Sequence, residues 1–253
     1  TQRLFVDLGR NGYLKEALLS EILRCLEARY YFSERVYYHH AKIAAGALVA
    51  KAVEIVLLEG AVSFEELQQS TDAALLDLLA RAEVENPESR KRLRIYLDAL
   101  KSRRIPKRAA VYPVYANPEM QEPLIQRFFG AGTAEERRRV EDQLTAALAE
   151  VIGEEVPVLL YCPAAKMQLK QARMLVRWPG ESELAPLSQY SQHVPRLADL
   201  ENSYQRMWKF YVLALTSNKD HLSKLGELAA EFFPGTTNVL VPRDQDPDLL
   251  VMQ

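Results

Sequence analysis

The sequence is short of cysteine, of glycine and of any excess of charge. Two cysteines, Cys25 and Cys162, stand in 253 residues. Two thiols exclude a disulfide scaffold and a four-cysteine zinc site. Cys25 lies in an apolar helical pattern and is expected to be a buried free thiol, and both thiols fit a reducing cytoplasm, the expected location. Ten glycines, mostly at turns, leave no Gly-rich phosphate loop, and no Gly-x-Ser-x-Gly occurs. The longest apolar stretch, Ala44 to Leu58, is interrupted by Lys51 and Glu54. It falls short of the roughly 20 apolar residues of a membrane span, so no membrane partner is expected. Thr1 opens the sequence and no signal-peptide pattern follows, so the chain is expected to be a piece of a longer or processed protein. Lys and Arg total 32 against 34 Asp and Glu, a net charge of -2. Such a balance excludes a surface built as a whole to coat nucleic acid, though not a local basic patch.

What is there reads first as helix. No proline precedes Pro87, and no glycine falls between Gly12 and Gly46. Leu14, Leu18, Leu19, Ile22, Leu23 and Leu26 recur at helical spacing. Ser63 to Glu66 has the form of a capping box, Thr71-Asp72 opens another helix, and Asn86-Pro87 opens a third that runs to about Ser102. Arg3 to Val6 reads as a short strand.

Beyond residue 100 the composition shifts, with 12 of the 13 prolines in that part. Arg108 to Tyr115, Val156 to Tyr161, Ala172 to Trp178 and Trp208 to Leu215 read as strands. Asn117-Pro118-Glu119 is expected to cap a short helix, and Thr133 to Glu136 to form a second capping box. Asp220 to Phe233 reads as a final amphipathic helix, and the tail after Thr236 as loose. The expected fold is mainly α: a helical region over 1–104, joined to a small α+β subdomain of about four strands over 105–253.

Chemistry-bearing patterns are few. His39, His40, His193 and His221 show no metal-ligand spacing. Two basic runs stand out, Arg90-Lys91-Arg92 with Arg94, and Lys101, Arg103, Arg104, Lys107 and Arg108. They suggest an anion-binding patch for nucleotide phosphate or single-stranded nucleic acid, against the plainer alternative of a solvated helix face. On a continuous helix Arg29, Ser33, Tyr37 and His40 fall on one face, where a guanidinium, hydroxyl, phenol and imidazole suit a phosphate ester and its sugar. An ordinary polar stripe fits that spacing as well.

The stretch Ala28-Arg29-Tyr30-Tyr31-Phe32, then Val36-Tyr37-Tyr38-His39-His40, then Ile43 to Leu48, resembles the HD-domain phosphohydrolases related to dGTP and dNTP triphosphohydrolases. The resemblance continues to Arg103-Arg104-Ile105-Pro106-Lys107 and covers residues 1 to about 215. It implies a metal-dependent hydrolysis of a nucleotide or related phosphate ester. The family's His … His-Asp … Asp metal set lies N-terminal to this region, and no His-Asp dipeptide occurs here. The chain therefore resembles the C-terminal half of such a protein. No cofactor is expected within it, and a divalent or transition metal is expected in the other half. By residue matching, Arg29 corresponds to a phosphate-binding Arg and Tyr37 to a sugar-facing Tyr. Ser33 stands where dNTP hydrolases often carry His, and Tyr38 where Gln often follows. Arg94 matches a basic position that binds allosteric nucleotide in some relatives. The implied partners are a nucleotide or phosphate-ester substrate, a nucleotide effector and further copies in a homo-oligomer. The competing class is a non-catalytic scaffold, or a module that binds nucleotide or single-stranded nucleic acid.

Overall fold

In a computed structural model, residues 4–163 and 170–240 are described. The chain is mainly α, with short strands. Strands β1 (Val6–Asp7), β2 (Gly9–Arg10) and β3 (Tyr13–Leu14) precede helix α1 (Glu16–Phe32). A π-helical turn, Ser33–Tyr37, leads to α2 (His40–Leu58), α3 (Phe64–Gln69), α4 (Asp72–Arg81) and α5 (Pro87–Lys101). Then come β4 (Lys107–Pro113), α6 (Gln121–Phe129), α7 (Ala134–Ile152) and β5 (Val158–Tyr161). The order closes with β6 (Leu175–Arg177), β7 (Leu184–Pro186), α8 (Pro195–Gln205), β8 (Lys209–Ala214) and α9 (Lys219–Phe232).

These elements gather into two compact units, each discontinuous in sequence. One holds residues 4–39, 113–115, 163 and 170–209; the other holds 40–112, 116–162 and 210–240. In the first, β1 pairs in parallel with β6, which pairs antiparallel with β7. Asn11-Gly12, both at positive φ (51° and 81°), turn the β2–β3 hairpin, as a two-residue loop requires. Helix α1 buries Leu19, Ile22, Leu23 and Leu26. It is tied to α8 by a two-pronged ion pair, Arg196 to Glu27 at 2.5 and 2.6 Å. Cys25 is exposed, not buried, because at about 100° per residue it falls outside the arc spanned by Leu19, Ile22, Leu23 and Leu26; Cys162 is buried.

In the second unit, α2 packs on α5, and the three-stranded sheet β4-β8-β5 is covered by α7 and α9. Every residue of β8 from Phe210 to Ala214 is buried, the continuous apolar run of a strand covered on both faces. Tyr112, Phe128, Phe210 and Phe233 interlock with ring centroids 5.3–6.1 Å apart. A Cβ on Gly226 of α9 would stand 2.9 Å from the carbonyl oxygen of Ala109, so only glycine permits that approach to β4.

Of the four strands expected after residue 105, three share one sheet. The fourth, β6, pairs instead with β1 near the start of the chain and with the unexpected β7. The early strand covers Val6–Asp7; Arg3 lies outside the described residues. Two expected caps are not formed. Thr133 sits at φ -92°, ψ 4°, and its hydroxyl donates back to the Gly130 carbonyl. Asn117 makes long-range bonds instead: its Oδ1 accepts from the Thr237 N–H at 2.6 Å, and its Nδ2 donates to the Thr237 carbonyl at 3.0 Å. Asn238 Oδ1 accepts from the Val111 N–H, and the Val239 N–H donates to the Val111 carbonyl. Residues 237–239 are thus fixed along β4 and not loose, because they satisfy the backbone groups of a strand at the sheet's edge.

Candidate functional site

The α1–π junction is the first candidate. Helix α1 runs as far as Phe32, and the Tyr38 N–H then donates to the Ser33 carbonyl at 2.8 Å, a bond reaching five residues back. Phe32 and Tyr37, also five apart, meet edge to face with centroids 5.2 Å apart. Such single π turns inside helices are frequent at functional sites. The extra residue rotates the following side chains, so the continuous polar face expected from helical spacing is not formed. Ser33 is 1% exposed, and its hydroxyl oxygen accepts from Tyr204 on α8 at 3.3 Å. His40 opens α2 in the other unit.

Arg29 and Tyr37 remain at the surface. Arg29, in the last turn of α1, forms no ion pair among the described residues. Around them the surface is apolar to an unusual degree: Tyr31 is 56% exposed, Phe32 51%, Val36 45% and Tyr37 43%. Tyr31, Phe32 and Val36, with Ala28 and Arg35, line an open hollow of about 590 Å³. Neither Arg29 nor Tyr37 lines it. Tyr30, beside them, donates its hydroxyl to Glu34 at 3.3 Å. Partial burial, reinforced by that carboxylate, raises its phenol above the ordinary value.

The second candidate lies in the other unit. The basic patch expected from the two runs is not one surface: Arg103, Arg104 and Lys107, then Arg94, then Arg108 lie in three different places. Arg103, Arg104 and Lys107 line a groove of about 780 Å³ together with Lys91 of α5. Arg94 lines a separate hollow of about 380 Å³ beside the α4–α5 loop, with Arg90. Arg90 is itself anchored there, its Nε donating to the Val84 carbonyl at 2.7 Å. Arg108 follows Lys107 on β4 and turns to the other face, as strand alternation demands, where its charge acts on Tyr211. Burial pushes the Tyr211 phenol up to about 12.

The groove begins where α5 ends. The Arg103 N–H donates to the Leu100 carbonyl and the Arg104 N–H to that of Ala99, a Schellman closure. The closure needs a left-handed residue after the cap, and Arg103 takes it at φ 56°. Arg104 Nε donates to Ser102 Oγ at 2.9 Å. Thr216 and Ser217, which follow β8, complete the wall; nothing in their own sequence neighbourhood marks them, since α5 and β8 are over 100 residues apart.

A third cluster is buried, and it answers the two charges that break the apolar run of α2. Lys51 Nζ lies 2.6 Å from the Glu141 carboxylate, and Glu54 pairs with Arg137. Glu141 also accepts the Leu160 N–H at 2.7 Å. Burial lowers the Lys51 ammonium to about 8, against the opposing pull of Glu141. Among the described residues no three His, Cys, Asp or Glu side chains gather as metal ligands, and no helix is long and apolar enough to cross a membrane.

No curated protein matches the chain. The family described as HD associated region matches residues 20–234, from the second turn of α1 to the second residue after α9. That span takes in the π junction, the basic groove and the sheet, and the chain belongs to the HD-associated region family.

Proposed function

We propose that this chain works as the C-terminal part of a metal-dependent HD-type phosphohydrolase acting on a nucleotide or related phosphate ester. Its contribution is a wall of the substrate pocket, with Arg29 facing a phosphate and Tyr37 the sugar or a neighbouring phosphate. One observation carries the reading. The π junction leaves a guanidinium without a carboxylate and four large apolar side chains open to water, as a surface does that is completed by another segment. Membership of the HD-associated family supports reading that segment as an HD domain, which by the resemblance would bear the His … His-Asp … Asp set. The described residues do not themselves suit a metal, so no step through one is assigned to this chain.

Arg offers a phosphate two parallel N–H donors, which Lys cannot reproduce. In the protein joined to its catalytic segment, Arg29→Ala should lower turnover about tenfold to a hundredfold, the equivalent of roughly 1.5–3 kcal/mol for a charge-assisted contact. Arg29→Lys should recover only part, and the melting temperature should hold, since Arg29 packs against no carboxylate. A destabilised but fully active Arg29→Ala protein would sink the assignment. The same reading expects a homo-oligomer, to be checked by light scattering. A second reading, a module that binds nucleotide without catalysis, is favoured by the basic groove.

A further inference from the structure

The π turn decides which of two adjacent tyrosines faces inward. In an unbroken α-helix, at about 100° per residue, Tyr37 would stand roughly 40° from Ser33, on the face that Ser33 buries, and Tyr38 about 140° away. The structure has the reverse. Tyr37 is 43% exposed, while Tyr38 is half-buried, its ring edge to face with that of Tyr204 at 6.3 Å between centroids. The one residue added by the turn has put Tyr38 where an unbroken helix would put Tyr37. The α alternative, with the Tyr37 N–H on the Ser33 carbonyl, is a single residue away, and five-residue steps are rare in helices.

Tyr204, in the last turn of α8, meets this segment at three points. Its ring lies 6.4 Å from that of Tyr30, near the end of α1, and 6.3 Å from that of Tyr38, whose N–H closes the turn. Between them its hydroxyl donates to Ser33 Oγ at 3.3 Å. Tyr204 is 9% exposed and Ser33 1%, so the two hydroxyls serve each other and not a ligand, and a change at one leaves the other buried without its partner. Helix α8 is itself pinned to α1 by the Arg196–Glu27 pair, so the Tyr204 ring bears on the turn from a fixed support.

We infer that Tyr204 is a positioning residue for the phosphohydrolase reaction: by holding Ser33 and Tyr38 it keeps the helix in the π register, and so turns the Tyr37 phenol outward to substrate. The role rests on the reading of Arg29 and Tyr37 as the substrate wall. Tyr204 touches no substrate and acts through Tyr37. Ser33, spent on Tyr204, contributes nothing to the pocket.

The test is a kinetic cycle of Tyr204→Leu with Tyr37→Ala in the protein joined to its catalytic segment. Tyr204→Leu alone should lower kcat/KM about tenfold, the scale of one oriented contact. With Tyr37→Ala already present it should cost nothing further, because the side chain that it positions is gone. A Tyr204 that served folding alone would cost the same in both backgrounds. In the same protein, Tyr204→Leu should speed amide exchange at Tyr38 about tenfold or more and leave Leu19 to Leu26 of α1 protected. Tyr204→Phe keeps the ring contacts and loses only the Ser33 bond. It should cost about threefold, again only where Tyr37 is present, and it carries the cycle if the leucine variant does not fold. If Tyr37→Ala by itself leaves turnover unchanged, the substrate wall falls and this role with it. If Tyr37→Ala lowers turnover but the loss at Tyr204 is the same with and without it, or the Tyr38 amide does not respond, the positioning role alone falls.

Discussion

Arg103→Gly makes a demanding test, because it should stabilise the protein while removing a cation. The Schellman closure of α5 rests on backbone bonds of 3.1 Å from Arg103 to Leu100 and 2.9 Å from Arg104 to Ala99. Glycine keeps both. It also removes the Cβ that crowds the following carbonyl at φ 56°, a cost of roughly 1–2 kcal/mol for an L-residue. Against that stands the greater freedom of glycine in the unfolded chain, about 0.4–1 kcal/mol. The net gain is then about 0.5–1 kcal/mol. Relief of repulsion from Arg104 and Lys107 adds little, since all three are exposed and screened. For a chain of this size the gain corresponds to a rise in Tm of about 1–4 °C, readable by differential scanning calorimetry. Arg103→Ala is the control: it removes the same charge but retains the Cβ, and should show no gain. If the glycine variant melts lower, or if alanine gains as much as glycine, then strain at Arg103 is not what the side chain overcomes.

Four further outcomes are expected. Lys51→Met should cost about 3–5 kcal/mol in urea unfolding by stranding the buried Glu141 carboxylate, while Lys51→Met with Glu141→Gln should regain most of it, because Gln still accepts the Leu160 N–H. Lys51 titrates near 8 when folded and near 10.5 when free, so its burial cost is present in full below pH 8 and fades as pH rises through that window; wild type should gain stability over the double variant between those values. Ellman's reagent should modify Cys25 quickly in the folded chain and Cys162 only on unfolding, since burial holds the Cys162 thiol up to about 12. Asn117→Ala should cost about 1–2 kcal/mol and speed amide exchange at Val111, by freeing Thr237 and with it the segment along β4.

Local chemistry was the legible part of the fold. The Ser63 capping box, the Thr71 cap and the Asn86 cap with Pro87 behind it all form, because each needs only three or four neighbouring residues. Thr133 presents the same letters, but Glu136 is drawn off by Arg127 and Arg139, and the backbone never takes the extended form a cap requires. Asn117 before a proline reads as a cap, yet its partner lies 120 residues away. The Asn11-Gly12 pair carries a hairpin signal as strong as any cap, outside the early strand that was expected. At the candidate site, Arg29 lies exposed in the last turn of α1, but the helical face expected to continue from it breaks at Ser33, since a π turn changes the count of residues per turn and no residue type announces it. The basic cluster is contiguous in sequence and divided in space, because helix angle and strand alternation send Arg94 and Arg108 away from Arg103 and Lys107.

The order β4-β8-β5 has a consequence in time. The middle strand is the last of the three to be synthesised. When β4 and β5 leave the ribosome, the strand that separates them does not yet exist, and about 100 and 50 residues, respectively, must still be added before Phe210 to Ala214 can enter between them. At roughly 5–20 residues per second, the apolar faces of Ala109 to Tyr112 and Val158 to Leu160 wait for seconds without their neighbour. Sheet closure is therefore a single late event, and β8, buried along its length, acts as the bolt. A pause in translation placed before residue 209 should lengthen the exposure of both outer strands, and one placed after residue 240 should not.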